Sequence, residues 1–167
     1  MTEQHTREAK IEKVRSLIGD IDFAMLTTVR PDGSLHSRPM ATQGGAFDGD
    51  VWFFTKASSH KVDDVERNHR VNVAFASPEE QKYVSLSGEA TLVRDRRKLE
   101  ELWNPVYKAW FPEGLDDPDL ALLKVEADSA EYWEGTSSTV AYVAGLAKAT
   151  LTGKPVDAGE NEAVEIK

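Results

Sequence analysis

The sequence predicts a mainly β fold, an antiparallel barrel or sandwich with helices set between its strands. Three observations carry that expectation. About six runs are rich in β-branched and aromatic residues. They are separated by short Pro, Gly and Asp turns of the kind that join antiparallel neighbours. No glycine fingerprint of a dinucleotide-binding or P-loop fold interrupts them. At 167 residues the chain has the length of one domain, able to bury roughly two-thirds of its unfolded surface.

Residues 6–19 read as a helix with Ile11, Val14, Leu17 and Ile18 on one face and Gly19 as its stop. The run 23–30 is a strand, and Pro31-Asp32-Gly33-Ser34 is a turn, with proline presetting φ and glycine accepting positive φ. Residues 35–43 form the next strand, where Pro39 demands an edge, a bulge or a corner because it cannot donate to a ladder. Gly44-Gly45 and Asp48-Gly49-Asp50 mark a turn into the apolar strand 51–55. Residues 59–68 suit a short helix on Val62 and Val65, 71–76 alternate as a strand, and Pro78-Glu79-Glu80 turns the chain again. The long strand 83–94 contains Gly88, which suits a bulge.

Asp95 can cap a helix with Leu99, Leu102, Trp103, Val106 and Trp110 on one stripe, interrupted at Pro105. A polar loop, 112–119, precedes the segment 120–135, whose alternating second half reads as the final strand. Val140, Val143 and Leu146 suit one more short helix. The domain thus spans residues 1–152, and the acidic residues 153–167 read as a mobile tail.

A net charge of −9 disfavours nucleic acid, because phosphate backbones reward Lys and Arg clusters. No apolar run approaches the ~20 residues of a membrane span. The polar N-terminus does not resemble a secretory signal. With no cysteine there is no disulfide, thiolate metal site or thiol nucleophile, which fits a cytoplasmic location. The histidines His5, His36, His60 and His69 lack metal-ligand spacing, so no metal is expected.

Against that acidic background two short stretches stand out. Ser37-Arg38-Pro39-Met40 lies on a strand, and Phe54-Thr55-Lys56-Ala57-Ser58-Ser59-His60-Lys61 runs from a strand end into a helix start. A helix N-terminus offers free N–H groups and a positive dipole end, so it favours an anion. A bidentate arginine from a neighbouring strand would complete a phosphate clamp. The same residues also fit a plainer arrangement, in which Ser58 or Ser59 caps the helix and Arg38 and Lys61 are solvated.

The order of these pieces resembles the FMN-binding core of the pyridoxamine 5′-phosphate oxidase-like superfamily, and within it the branch of short bacterial general stress proteins. The likeness covers residues 6–135 and takes in Tyr83-Val84-Ser85-Leu86-Ser87-Gly88 and Tyr132-Trp133-Glu134-Gly135. It implies a six-stranded antiparallel split β-barrel of the FMN-binding type, with flanking helices and FMN as cofactor. It implies that Arg38 and Lys61 neutralise the FMN phosphate and that Ser59 and His60 hydrogen-bond to it. The backbone of Pro39, Met40 and Ala41 would run beside the isoalloxazine ring, with Phe54 and Thr55 lining the ribityl and phosphate side. Tyr83 matches a position from which the family's second subunit reaches the cofactor, and Trp133 an aromatic of the flavin site. A homodimer with FMN sites at its interface follows from the same resemblance. Tyr83 and Trp133 equally suit ordinary packing.

The chain also departs from the family's oxidases. They carry an R-x-H-x-R pattern after the final tryptophan, where this chain has the uncharged run Thr136 to Val143. They place a lysine a few residues past the clamp arginine, where Gln43 stands here. His60 replaces an arginine often found there. These losses argue against vitamin B6 phosphate oxidation and name no catalytic acid or base. What is expected is an FMN-dependent oxidoreductase of an unknown small molecule. The alternatives are a non-catalytic flavin-binding or flavin-sensing stress protein, or the same fold holding a deazaflavin or haem.

Overall fold

The longest strand passes through the middle of the molecule, and the rest of the sheet is built out from it. The computed structural model describes residues 3–43, 47–135, 139–155 and 159–167. Its elements are α1 (Glu3–Ile18), β1 (Phe23–Val29), β2 (Leu35–Ala41), β3 (Asp50–Lys56) and α2 (His60–Arg67). There follow β4 (Arg70–Ser77), β5 (Lys82–Val93), α3 (Arg96–Leu102), two 3-10 turns (Pro105–Ala109 and Gly114–Asp116), β6 (Leu120–Glu134), α4 (Thr139–Thr152) and β7 (Glu160–Glu165). The strands lie in the order β2-β1-β4-β5-β6-β3, antiparallel throughout. The sheet curls until its two ends, β2 and β3, approach each other. The mainly β expectation holds as a curled antiparallel half-barrel flanked by helices.

Local chemistry accounts for the path. Gly33 takes φ +83° in the β1–β2 turn, which closes by Arg30 N–H donating to the Ser34 carbonyl at 2.8 Å. Pro39 sits on β2, an end strand paired only to β1, so its missing N–H breaks no ladder. The β5–β6 register shifts between Ser87 and Gly88, where a Cβ would stand 2.1 Å from the Glu126 carbonyl oxygen. Asp95 caps α3 by accepting from the Arg97 and Lys98 N–H groups, and Pro105 diverts the chain into a 3-10 turn as its ring requires.

Two apolar clusters lie on the two faces of the β3–β6 pair. The barrel core gathers Leu26, Phe53, Val73, Leu86 and Leu123, closed at the sides by Val14 and Leu17 of α1 and Val62 and Val65 of α2. On the other face Phe54, Leu99, Leu120 and Leu122 pack with Trp103, Tyr107 and Phe111. That double burial is why β6 begins at Leu120 rather than halfway along. Leu120, Ala121, Leu122 and Leu123 are all buried, so no alternation marks them as strand.

The C-terminal residues differ most from expectation. Rather than a tail, residues 160–165 form β7, which adds to β6 beyond the end of β3, along Ser129–Glu134. Val164 and Ile166 are buried, Ile166 N–H donates to the Asp128 carbonyl at 2.9 Å, and Arg7 Nε donates to the Ile166 carbonyl at 2.6 Å. Acidic residues of the expected tail have partners. Tyr132 Oη sits 2.8 Å from Glu160 Oε1 and 2.9 Å from Glu162 Oε2, and burial together with these carboxylates pushes the phenol's pKa up. With large apolar residues only at 164 and 166 of the stretch 160–167, the signal lay below that of an ordinary strand. Residues 139–152 form one helix, longer than expected, with Val143 and Leu146 on its exposed side. The Gly44-Gly45 turn and Thr136–Ser138 lie outside the described residues.

Ile166→Ala is expected to cost about 2–4 kcal/mol of folding stability, as for other buried aliphatic truncations. Urea unfolding of the full chain measures it. A midpoint equal to the parent's would mean that the C-terminal residues add nothing to the core.

Candidate functional site

A cleft of about 380 Å³ opens where β2 and β3 converge. Three elements furnish one end of it. β2 supplies Arg38, β3 ends in Thr55, and the turn into α2 supplies Ser59 and Lys61. Neither serine is spent on capping. Ser59 has extended backbone and makes no side-chain cap bond. Ser58 turns away, its N–H donating to Asp119 Oδ1 at 3.0 Å and its hydroxyl to Asp119 Oδ2 at 2.5 Å. The Ser59 hydroxyl lies 3.3 Å from that of Thr55, and Lys61 Nζ donates to both, at 3.2 Å each. The plainer capping arrangement is therefore not the one adopted.

The electrostatics of this end are unbalanced. Lys61 is more than half buried, and among the described residues no carboxylate lies within ion-pair distance of it. Burial first, and then the neighbouring Arg38 charge, hold its pKa below the ordinary lysine value. Arg38 is depressed likewise by burial, with Asp64 pulling the other way. Arg38 Nη2 stands 3.7 Å from Asp64 Oδ2, a loose pair, while the Thr28 hydroxyl donates to the same oxygen at 3.0 Å. Arg38 also donates towards His36 Nδ1 at 3.0 Å, and Arg30 meets that nitrogen at 2.9 Å. Two half-buried cations, of which only Arg38 is loosely paired with a buried carboxylate, make a site that favours an anion.

The other end is apolar. Met40, Phe54, Phe23, Tyr107, Trp110 and Phe111 line it. Phe54 is the hub, with ring centroids 5.2 Å from Tyr107 and 5.5 Å from Trp103, and Phe23 meets Trp110 edge-on at 6.2 Å. Gln43 closes this end, accepting from Tyr107 Oη at 3.3 Å through its side-chain oxygen. Its Nε2 is buried without a hydrogen-bond partner. The floor beneath is tied down: Lys56 is salt-bridged to Asp117, and Ala57 N–H donates to the Asp119 carbonyl at 2.8 Å.

Of the residues singled out in the sequence, the cleft brings together Arg38, Pro39, Met40, Ala41, Phe54, Thr55, Ser59 and Lys61. His60 is not among its lining; the ring is fully exposed, 3.8 Å from Asp63. Tyr83 and Trp133 face each other across β5 and β6 on the outer surface of the sheet, 40% and 41% exposed, and do not line the cleft of their own chain. Sequence reasoning missed the lining roles of Phe23, Gln43, Tyr107 and Phe111. Trp103, Val106 and Trp110 read from the sequence as one stripe of a helix, to which Tyr107 and Phe111 do not belong, and the pairing of Phe23 with Ala41 depends on register.

The family model described as pyridoxamine 5′-phosphate oxidase-like matches residues 9–157. Protein bli-3 of Neurospora crassa is 32% identical over 160 residues, 89% of this chain and 76% of its own length. Among solved structures, a Jannaschia sp. CCS1 protein carrying the provisional name general stress protein 26 superposes with a TM-score of 0.71 at 25% identity, covering 99% of both chains. The general stress FMN/FAD binding protein of Xanthomonas citri superposes with a TM-score of 0.67 at 34% identity, over 77% of this chain and 90% of its own.

Lys61 generates a pH prediction. Because its folded-state pKa is depressed, the buried charge is a liability fully present below that pKa. The liability is relieved as pH rises through that pKa towards the ordinary value of 10.5. An anion has the opposite dependence, since it gains from the cation. Sulfate is therefore expected to raise Tm by about 3 °C more at pH 7 than at pH 10, equivalent to roughly 1 kcal/mol of binding linkage. Lys61→Met should erase the difference. Equal increments at both pH values in the parent protein would show that Lys61 does not face the anion.

Proposed function

The chain belongs to the pyridoxamine 5′-phosphate oxidase-like family, and from that premise we propose that it binds FMN in the β2–β3 cleft, as a homodimer, and acts as a flavin-dependent oxidoreductase on a small uncharged molecule. The observation that carries the reading is the pairing, in one cleft, of an anion-seeking end with an aromatic end. Arg38, Lys61 and the Thr55 and Ser59 hydroxyls would hold a phosphate. Met40 and Phe54 offer apolar surface for a ring, beside the β2 backbone of Pro39 to Ala41. The charges and the cleft fit a phosphorylated, ring-bearing cofactor, and a protein of 34% identity is named for binding FMN or FAD.

Bound flavin supplies hydride and electron transfer, chemistry that needs few protein acids or bases. What the chain contributes is binding and orientation. Arg38, steadied by Asp64, sets where the phosphate sits, and the aromatic wall limits water at the ring. The cation that the family's oxidases use for a phosphorylated vitamer is replaced by the neutral Gln43, which weighs against vitamin B6 oxidation. A flavin store or sensor without turnover is the second reading. It is favoured by the aromatic end, of whose lining residues Tyr107 alone is titratable.

The outer face of the sheet supports the dimer. Phe23, Met25, Tyr83 and Trp133 are each 40% exposed or more. Register places them on one surface with Ala74 and Ala76, where a solvated antiparallel sheet would carry polar residues. Tyr83 and Trp133 would then serve the partner's cleft rather than their own.

FMN fluorescence should be quenched on binding at micromolar protein, and Arg38→Ala should weaken FMN by roughly 10- to 100-fold, the worth of a charge-assisted hydrogen bond. Riboflavin, lacking the phosphate, should lose less than about threefold. Equal losses would remove Arg38 from the phosphate, and absence of quenching would overturn the flavin reading altogether. Reduction of bound flavin by NADPH under anaerobic conditions separates the oxidoreductase from the store.

Light scattering should give twice the 18.5 kDa chain mass. Trp133→Glu should yield monomers that hold FMN at least about tenfold more weakly. A monomeric parent protein, or a variant monomer with parental affinity, would sink the shared-site arrangement.

A further inference from the structure

The helix α4 is built the wrong way round for one that serves only its own chain. Of its described side chains, Val143 to Thr152, only Gly145 and Ala149 are partly covered, while Val143, Leu146 and Leu151 are exposed. Small residues thus take the covered side and large apolar ones face away, the reverse of an ordinary surface helix. The Thr150 and Thr152 hydroxyls donate back to the Leu146 and Lys148 carbonyls at 2.8 and 2.7 Å, so their protons are spent within the helix. Lys148 is the one charged residue among the 14. A helix of that length with a central glycine is marginal in water and depends on the packing of an apolar face. Among the described residues, neither apolar cluster of its own chain includes it.

Position and charge say what covers it. The helix is an excursion in the β6–β7 hairpin, leaving after Glu134 and returning at Glu160, and those two residues pair. The neck is tight, since a Cβ on Gly159 would stand 2.0 Å from the Glu134 carbonyl oxygen. It adjoins Trp133, which on the dimer reading serves the partner's cleft, so α4 is rooted beside a second copy. Leu35 apart, the exposed large hydrophobics among the described residues fall into three patches: the outer sheet face, α4, and Val106 with Trp110 at the cleft rim. The dimer takes the sheet face, which leaves α4 and the rim. The rim runs into an acidic loop where Asp117 and Asp119 are tied to Lys56 and Ser58, while Glu113 and Asp116 are exposed beside a single lysine, Lys108. A membrane surface fits α4 poorly, because interfacial helices carry several Lys and Arg and an anionic leaflet repels a chain of net charge −9.

We infer that α4 is an arm for a second copy of this chain, packing its Val143–Leu146–Leu151 face on the Val106–Trp110 rim of that copy's cleft, with Lys148 towards the acidic loop. The inference rests on the dimer reading given above. Under two-fold symmetry each arm meets the other copy's rim, so both patches are covered twice and none is left for a third chain. The aromatic wall of each cleft is then complete only in the pair.

The test measures self-association of the full-length protein by sedimentation equilibrium. Leu146 and Val106 are exposed within the chain, so a charge at either spares its own core. Leu146→Asp and Val106→Asp should each raise the dimer dissociation constant at least about tenfold, the effect of a charge placed in a buried contact. Lys148→Glu, a milder change, should raise it about threefold. Leu35→Asp, which lies off all three patches, should leave it unchanged. An equal mixture of the Leu146→Asp and Val106→Asp chains restores one intact arm–rim contact, so it should associate at least about threefold more tightly than either alone. Parental association of Leu146→Asp, or no gain on mixing, overturns the arm while a dimer still broken by Trp133→Glu keeps the dimer reading. A monomeric parent protein overturns both, and FMN quenching is read separately from either.

Discussion

Because β2 and β3 end the sheet and yet are curled against each other, with no hydrogen-bond ladder joining them among the described residues, the molecule keeps one seam where backbone meets backbone without pairing. The candidate cleft lies along that seam. A fully paired barrel would fill its interior with side chains and leave no edge. Here the curl is driven by burial on both faces of β3 and β6 and by the bulge at Ser87 and Gly88, which bends β5 over the core. The seam stays open because Pro39 removes a donor from the β2 edge and because α2 enters beside it. The cleft is thus a by-product of how the sheet fails to close.

Charge then divides the cleft into two ends of unlike chemistry. In a chain with net charge −9, a lysine and an arginine share a half-buried pocket, and among the described residues only Arg38 has a carboxylate, Asp64, within ion-pair distance. The arrangement is unfavourable for folding alone, since desolvation depresses both cations. Such a cost is tolerated where a ligand offsets it, which is the usual setting of perturbed cations in clefts. A few residues away the lining turns aromatic, and the polar group left there is neutral. The gradient from one end to the other suits a molecule with a charged tail and a flat head.

Much of this was legible in the sequence, and the reasons for the rest are physical. The strand pattern, the Gly33 turn, the Asp95 cap and the Gly88 bulge all follow from local chemistry, which acts over a few residues and leaves its mark there. Arg38, Thr55, Ser59 and Lys61 were legible because an anion site needs those types close to a helix start. Leu120 to Leu123 were not, because burial on two faces erases the alternation that identifies a strand. β7 was hidden in acidic residues whose partners, Tyr132 and Lys13, lie far off in sequence. Gln43 looked like the place of a missing lysine. That its amide is buried against Tyr107, 64 residues away, depends on the fold.

The ties beneath the cleft give it walls of unequal stiffness. The phosphate-type end is fastened by Ser58 and Ala57 to Asp119 and by Lys56 to Asp117. The aromatic side is fastened by ring contacts around Phe54 and one long hydrogen bond from Tyr107. Exposed side chains such as Trp110 exchange rotamers within nanoseconds, whereas breaking several directed bonds together is far slower. Residues 105–111 are therefore the more yielding wall of the cleft. A molecule held there would have its position set by the tied end and its release paced by the give of the aromatic segment.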